Sequence, residues 1–330
     1  MDQLRDVLAR YAADFQAAVV LPLGSAGGMS GALFWRVEPV SGTYMLRRWP
    51  REHPSPERLR FIHSVLRHAA ARGCDMLPVP VTTRTGETFV ELAGYLWELA
   101  QLMPGTADYE REPTSEKLRA AMRALATFHR CTSDFPPQPH PRESAPLRHL
   151  ARLRELSPAK IGELAAVVRD EVWPELAAPA RQFLAALPMA IPRAIAQLEP
   201  FERVPLPQQP CLRDIWHDHV LFTGDRVTGL VDFGAVDFDT PATDIARLLG
   251  SLADAHDDAV RTWSDGIAAY ITVRPLSNDE LRAAYALDAS APILAGCNWI
   301  RWIHREGREF EDYARVLLRF QRILAKALRR

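Results

Sequence analysis

Lysine is nearly missing from this chain. Of 40 basic residues only Lys117, Lys160 and Lys326 are lysine, so an anion bound here meets arginine, whose fork-shaped guanidinium stays charged at every relevant pH. Cysteine is sparse as well: Cys74, Cys131, Cys211 and Cys297 lie far apart and form no CxxC pair. That argues against a zinc site or a disulfide framework and predicts buried free thiols in a reducing cytoplasm. No apolar run approaches the roughly 18 residues a membrane-spanning helix needs. The opening MDQLRDVLARYAADF has no basic stretch followed by an apolar one, so neither a signal peptide nor a membrane partner is expected. An excess of one charge sign is also lacking. The net charge is −1, which supplies no field toward nucleic acid, and none is expected as a partner.

What is present is an ordinary globular composition, 48% hydrophobic and 25% charged over 330 residues, enough for two lobes. Residues 2–18 fit an amphipathic helix with Leu4, Val7, Leu8, Tyr11 and Phe15 on one face. In VVLPLGSAGGMSGALFWRVEPVSGTYMLRRWP, apolar strands flank Gly24, Gly27, Gly28 and Gly31. Glycines at such a turn let backbone N–H groups approach phosphate oxygens, although no strict GxGxxG is present. The strand GTYMLRRWP offers Arg47 and Arg48 on opposite faces. A helix over SPERLRFIHSVLRHAAARG is marked by Ser55 as cap, Pro56 at its first position, Leu59, Ile62, Val65 and Leu66 as apolar face, and Gly73 as stop. LPVPVTTRTGETFVELAGYLWELAQLMPG predicts two or three strands, VPVTT, TFVEL and YLWELAQLM, ended by Pro104 and Gly105.

Beyond residue 105 the periodicity turns helical. SEKLRAAMRALATFHRC is expected to be a helix capped by Ser115, with His129 as a satisfied structural histidine. Residues 146–199 predict at least two helices, broken near Ser157 and Pro158 and again near Pro188 to Pro192. The last stretch carries Trp299, Trp302, Glu306, Glu309 and Asp312 along consecutive turns; packing of the indoles on a terminal helix is expected ahead of an amine-enclosing role.

The chemistry concentrates in CLRDIWHDHVLFTGDRVTGLVDFGAVDFDTPATDIARLL, from Cys211 to Leu249. Two strands, VLF and VTGLV, joined by a turn at Gly224 and Asp225, predict a hairpin. Asp214 precedes the hairpin and Asp232 ends it, so both carboxylates fall near one end. Such a pair suits one proton acceptor and one magnesium ligand.

This block resembles the aminoglycoside phosphotransferase and choline kinase superfamily, a small-molecule branch of the protein-kinase-like fold. Members read His-Gly-Asp, four residues, Asn, then a strand ending in Asp-Phe or Asp-Trp. Here the loop is Leu212, Arg213, Asp214, four residues, His219, and the strand ends in Asp232, Phe233, Gly234. DTPATDIARLL resembles the family's Asp-Pro-x-x-Asp-Leu-Ala tail, and RFIHSVLRHAA resembles homoserine-kinase-type-II-like members. The resemblance implies an α+β, bilobal, protein-kinase-like fold: a small antiparallel-sheet lobe over residues 1–103 for nucleotide, and a larger, mostly helical lobe over 104–330 for catalysis and substrate. It implies a cytoplasmic ATP-dependent phosphotransferase acting on a hydroxyl of a small metabolite, whether amino alcohol, sugar or aminoglycoside-like. ATP, with GTP as alternative, and Mg2+, with Mn2+ as alternative, are the implied cofactors.

Carried over by position, Asp214 is the implied base and Asp232 the implied metal ligand. Gly27, Gly28 and Arg47 approach the phosphates. Glu57, the one acid inside its helix, either pairs with Arg47 or serves the helix dipole. Backbone groups from Glu98 through Ala100 to Leu102 hold adenine. His219 takes the metal position of the loop asparagine. Imidazole suits manganese better than magnesium, so either Asp218 or a water replaces the asparagine, or a second metal binds badly, or activity is lost. The last case is a catalytically impaired pseudokinase, a nucleotide-binding regulatory or scaffold protein. Arg213 is expected to ion-pair locally or stay solvated. Asp239 and Asp244 are expected to cap the following helix or brace the catalytic loop. The acceptor's identity and the oligomeric state are not legible in the residues.

Overall fold

In the computed structural model, which describes residues 2–25, 31–137, 142–256, 258–310 and 312–328, alternating strands come first and helices follow. The order is α1 (Asp2–Leu8), α2 (Ala13–Gln16), β1 (Val19–Gly24), β2 (Leu33–Glu38), β3 (Tyr44–Arg48), α3 (Pro56–Ala71), β4 (Val90–Leu92), β5 (Tyr95–Gln101), α4 (Ser115–Thr132), α5 (Ala145–Arg154), α6 (Pro158–Val167) and α7 (Pro174–Leu198). Then come β6 (Gln209–Cys211), β7 (Val220–Thr223), β8 (Arg226–Leu230), β9 (Asp237–Asp239), α8 (Pro241–Ala253), α9 (Ala259–Ile271), α10 (Asn278–Ile300) and α11 (Tyr313–Leu328). This is the α+β, kinase-like class the sequence implied. Contacts divide the chain into two compact units: Met1–Pro137 with Leu212–Asp237 and Val260–Arg274, and Gln138–Cys211 with Phe238–Ala259 and Pro275–Arg330. The residue 103 boundary implied by the family falls inside the first unit, because backbone pairing of Thr106 with Phe222 ties the chain after β5 to β7.

In the first unit five antiparallel strands lie in the order β1-β2-β3-β5-β4. Side-chain alternation assigns the two faces of this sheet. Val37, Leu46, Trp97 and Leu99 bury on one face with Val7, Leu8, Tyr11 and Phe15. Trp49 and Leu96 bury on the other with Phe89 and with Leu59 of α3. The single helix expected over 2–18 is interrupted, since the Ala9 and Arg10 carbonyls accept hydrogen bonds from Arg84 instead of from a next helical turn. Helix α3 forms as expected: the Ser55 hydroxyl accepts from the Arg58 N–H at 3.2 Å, and Leu59, Ile62, His63, Val65 and Leu66 are buried. Each such aliphatic side chain contributes about 2 kcal/mol on burial. VPVTT forms no strand beyond an isolated bridge of Pro80 to Ala100; Pro80 carries no N–H for a ladder. Thr114, not Ser115, caps α4 by accepting from the Lys117 N–H at 3.1 Å.

The second unit is built on α5, α7, α8, α10 and α11, with the short pair of β6 and β9. Helix α7 continues through Pro188 and Pro192, where a break was expected. The two prolines are one helical repeat apart on the exposed side, where carbonyls that lose their donor can turn to water, while Leu184, Leu187, Ile191 and Ala194 hold the opposite side in the core. Helix α5 is tied to α10 by His149, whose Nδ1 lies 2.8 Å from the Ser290 hydroxyl. Burial first, and then Arg152, Arg148 and Arg247, hold the His149 imidazole down to about 3. All four cysteines are free and buried, and no described helix is long and apolar enough to cross a membrane.

Candidate active site

The residues of the candidate centre all belong to the first unit. Asp214 lies in the loop after Leu212, which is buried where the family has histidine; a 3-10 turn over His217–His219 then leads into β7. Asp232 follows β8 directly. Among the described residues only Ala93, Arg213 and Asp232 combine a side chain with positive φ, at 53°, 62° and 63°. For an L-residue this left-handed conformation costs on the order of 1 kcal/mol. Two of the three therefore flank or constitute the motif aspartates, where local strain is characteristic of working sites.

His219 links the two aspartates. Its Nδ1 is 2.7 Å from the Asp214 carbonyl oxygen, so that nitrogen carries the proton and donates. Its Nε2 accepts from the Trp216 indole Nε1–H at 2.9 Å. Asp232 Oδ2 stands 3.7 Å from Nε2, beyond hydrogen-bond reach. The Asp232 side chain is 50% exposed and open to a ligand, whereas both ring nitrogens of His219 are engaged. The sequence expected His219 to ligate metal. In the structure its one lone pair faces the Trp216 N–H, and its Nδ1–H holds the Asp214 carbonyl.

Arg47 and Glu98 are register partners on β3 and β5, and both project toward α3. Arg47 Nη1 is 3.8 Å from Glu98 Oε1, and its guanidinium covers the Trp49 ring at 3.2 Å from the centroid. Arg48, on the opposite face, lies over Tyr95 and Trp97. Glu98 Oε2 is 2.7 Å from His63 Nε2, and His63 Nδ1 is 2.8 Å from the Thr88 hydroxyl. Burial pushes the Glu98 carboxyl up, but His63 and then Arg47 outweigh it and hold the group below the ordinary glutamate range. Burial lowers the Arg47 guanidinium, opposed by the charges of Glu98 and Asp232.

Glu57 does not reach this arrangement. It is exposed in the first turn of α3, where the backbone N–H groups and Ser55 lower its carboxyl. Six positions along a helix turn a side chain about 240° away, so the helix presents His63, not Glu57, to the sheet. Glu98 and Ala100 lie within the β5 ladder, paired with Arg47 and Met45, and the Leu102 N–H donates to the Thr43 carbonyl at 3.1 Å. The hinge groups expected to face adenine are thus partly committed to the sheet. Gly27 and Gly28 lie outside the described residues.

Arg213 ion-pairs locally. Its Nη1 lies 3.4 Å from buried Asp237 Oδ2, which Arg58 of α3 approaches at 3.7 Å. Asp218 pairs with His217, Oδ1 to Nδ1 at 3.0 Å, and with Glu110 these two bring ligand atoms within 4.8 Å of one another. Its carboxylate thus has His217 and Glu110 as neighbours. In the second unit Asp239 accepts from the Ala145 N–H at the start of α5 and from the Thr240 N–H just before α8, both at 2.9 Å, and pairs with Arg148. Sequence reasoning missed His63, Trp216 and Asp237. Only His63 carried a signal: with Leu59, Ile62 and Leu66 it completes the i, i+3, i+4, i+7 set of the inner face.

An antiparallel sheet holding a buried arginine, followed by a hairpin bracketed by two aspartates, defines a kinase-like phosphotransferase. The model of the phosphotransferase enzyme family matches residues 24–286, and the chain belongs to that family. It is a small-molecule kinase. A homoserine kinase of Methylobacterium sp. (strain 4-46) is 30% identical over 296 residues, covering 88% of this chain and 81% of that protein. Among solved structures, a spectinomycin phosphotransferase in complex with ADP and spectinomycin superposes with a TM-score of 0.65 at 12% identity, over 99% of this chain and 96% of the other. A microcompartment-associated aminopropanol kinase superposes with a TM-score of 0.60 at 16% identity, over 99% and 94%. At these identities the structural likenesses bear on the fold.

Proposed function

We propose that the chain transfers the γ-phosphoryl group of ATP to the hydroxyl of a small amino alcohol, with Mg2+ as the metal. The observation that carries this reading is the convergence of Asp214, His219 and Asp232 in one unit with Arg47, on whose guanidinium the Asp232 charge acts. The relatives favour the acceptor class: one is named homoserine kinase and one structural neighbour aminopropanol kinase. Residues 1–103 would serve the nucleotide and 104–330 the acceptor and the chemistry.

The residues fit the absent groups. Arg47 has a buried Nε–H with no hydrogen-bond partner, a donor that a phosphate oxygen satisfies. Asp232 offers a hard carboxylate oxygen, the ligand type magnesium prefers. A divalent cation there supplies charge neutralisation on the phosphates. Asp214 orients the acceptor hydroxyl and takes its proton as the new O–P bond forms, while the bond from the γ-phosphorus to its bridging oxygen breaks and ADP leaves. Arg47 holds the phosphates in place, kept in register by Glu98 and His63. Calorimetric titration with Mg2+ and ATP tests the assignment. Wild type and Asp214→Asn are expected to bind alike, and Asp232→Asn to bind about tenfold or more weakly. Absence of binding to wild type would overturn the reading.

A further inference from the structure

We infer that Trp216 determines the metal class of this site: by occupying the His219 lone pair it keeps imidazole out of the coordination shell and leaves the metal to oxygen ligands. This rests on the reading of Asp214 and Asp232 as a phosphoryl-transfer centre. The position of the loop asparagine is filled by a residue that, unconstrained, is a good ligand for zinc or manganese and a poor one for magnesium. A neutral imidazole has one N–H and one lone pair. The Asp214 carbonyl takes the N–H at 2.7 Å, which fixes the lone pair on Nε2, and Nε2 faces the indole N–H of Trp216 at 2.9 Å. The Trp216 and His219 rings meet edge to face, 5.6 Å between centroids, so the indole is held by contact as well as by its hydrogen bond. A metal binding Nε2 has first to displace a donor seated in the same three-residue step of chain.

The arrangement has two consequences. His219 acts as a positioning residue, fixing the backbone of Asp214 through its carbonyl, not as a metal ligand. Trp216, whose indole N–H meets Nε2, is the residue that enforces this. A phenylalanine at 216 would keep a ring against the imidazole, remove the N–H and release the lone pair 3.7 Å from Asp232 Oδ2, converting the site into a histidine and carboxylate pair suited to a transition metal.

The test is nitrogen-detected NMR of the full-length protein labelled with 15N-histidine, with His219 assigned by its loss in His219→Asn. Wild type is expected to show a protonated Nδ1 and an unprotonated Nε2 whose resonance is unmoved by Zn2+ or Mg2+. In Trp216→Phe the Nε2 resonance is expected to move on Zn2+ addition, with Zn2+ affinity rising about tenfold or more and Mg2+ affinity unchanged. A proton on Nε2 in wild type, a Zn2+-shifted Nε2 in wild type, or no gain of Zn2+ binding in folded Trp216→Phe would each overturn the inference. Should Trp216→Phe fail to fold, the wild-type spectrum decides alone. Loss of the kinase reading would appear as missing nucleotide binding and would leave the tautomer measurement untouched, so the two failures are distinguishable.

Discussion

Glu98 holds together two groups that sequence spacing left unrelated, Arg47 on its own sheet and His63 on the helix beneath. Its carboxyl is depressed below the ordinary value in the folded chain. Such a group stabilises the fold above the unfolded-state pKa, near 4.3, and that contribution is lost as pH falls through the lower folded value. Glu98→Gln keeps the shape and removes the charge. It is expected to cost about 2 kcal/mol at pH 7, as for a hydrogen bond to a charged group, with the difference from wild type closing as pH drops below about 4. Urea unfolding across that range measures it, and a pH-independent difference would contradict the assignment. The family motif favours Arg47 over Arg48, and Arg47 is the arginine that meets the acid. Its partner was sought on the helix because kinases keep it there, whereas here the acid comes from the neighbouring strand and the helix supplies the histidine that steadies it. Strand register, which decides this, depends on loops whose geometry the residues do not state.

At the scale of elements, the chain leaving β5 is fastened to the hairpin of β7 and β8 at Gly105. The Thr106 N–H donates to the Phe222 carbonyl at 2.9 Å, the Phe222 N–H returns the bond at 2.9 Å, and the Thr228 hydroxyl donates to the Pro104 carbonyl at 2.7 Å. Gly105 has φ +101°, and a Cβ there would stand 2.4 Å from Thr228 Oγ1 and 2.6 Å from the Phe222 carbonyl oxygen. Gly105→Ala is expected to destabilise by roughly 2–3 kcal/mol and to weaken nucleotide binding. Gly224→Ala, at φ +59° in the hairpin turn with nothing within 4 Å, is expected to cost only about 1 kcal/mol. Thermal unfolding of the two variants checks the contrast; equal losses would show that the fastening at Gly105 has no special weight. The hairpin itself was legible because β-branched runs and a Gly-containing turn are local signals. Helix α7 was not, since a proline is read as a breaker unless its exposed face is known, and exposure is a tertiary fact. The interruption between α1 and α2 was hidden for the same reason, being imposed by Arg84 from far along the chain.

For the whole molecule, near-neutral charge and scarce lysine removed every partner argument based on a global field and left the site to carry function. The order of sheet, buried arginine and bracketed hairpin was recoverable from sequence because each piece has its own local pattern. How His219 behaves was not, because an imidazole's role is set by which nitrogen its neighbours occupy. Phosphoryl transfer to a small hydroxyl is the proposed chemistry. Acceptor-dependent ADP release with Mg2+ and ATP over a panel of amino alcohols that includes homoserine, run on wild type and Asp214→Asn, tests it most directly. The predicted result is ADP formed together with a phosphorylated amino alcohol, reduced by roughly 10²- to 10⁴-fold in Asp214→Asn while that variant still binds nucleotide. Nucleotide binding with no acceptor-stimulated turnover, or full turnover in Asp214→Asn, would contradict it.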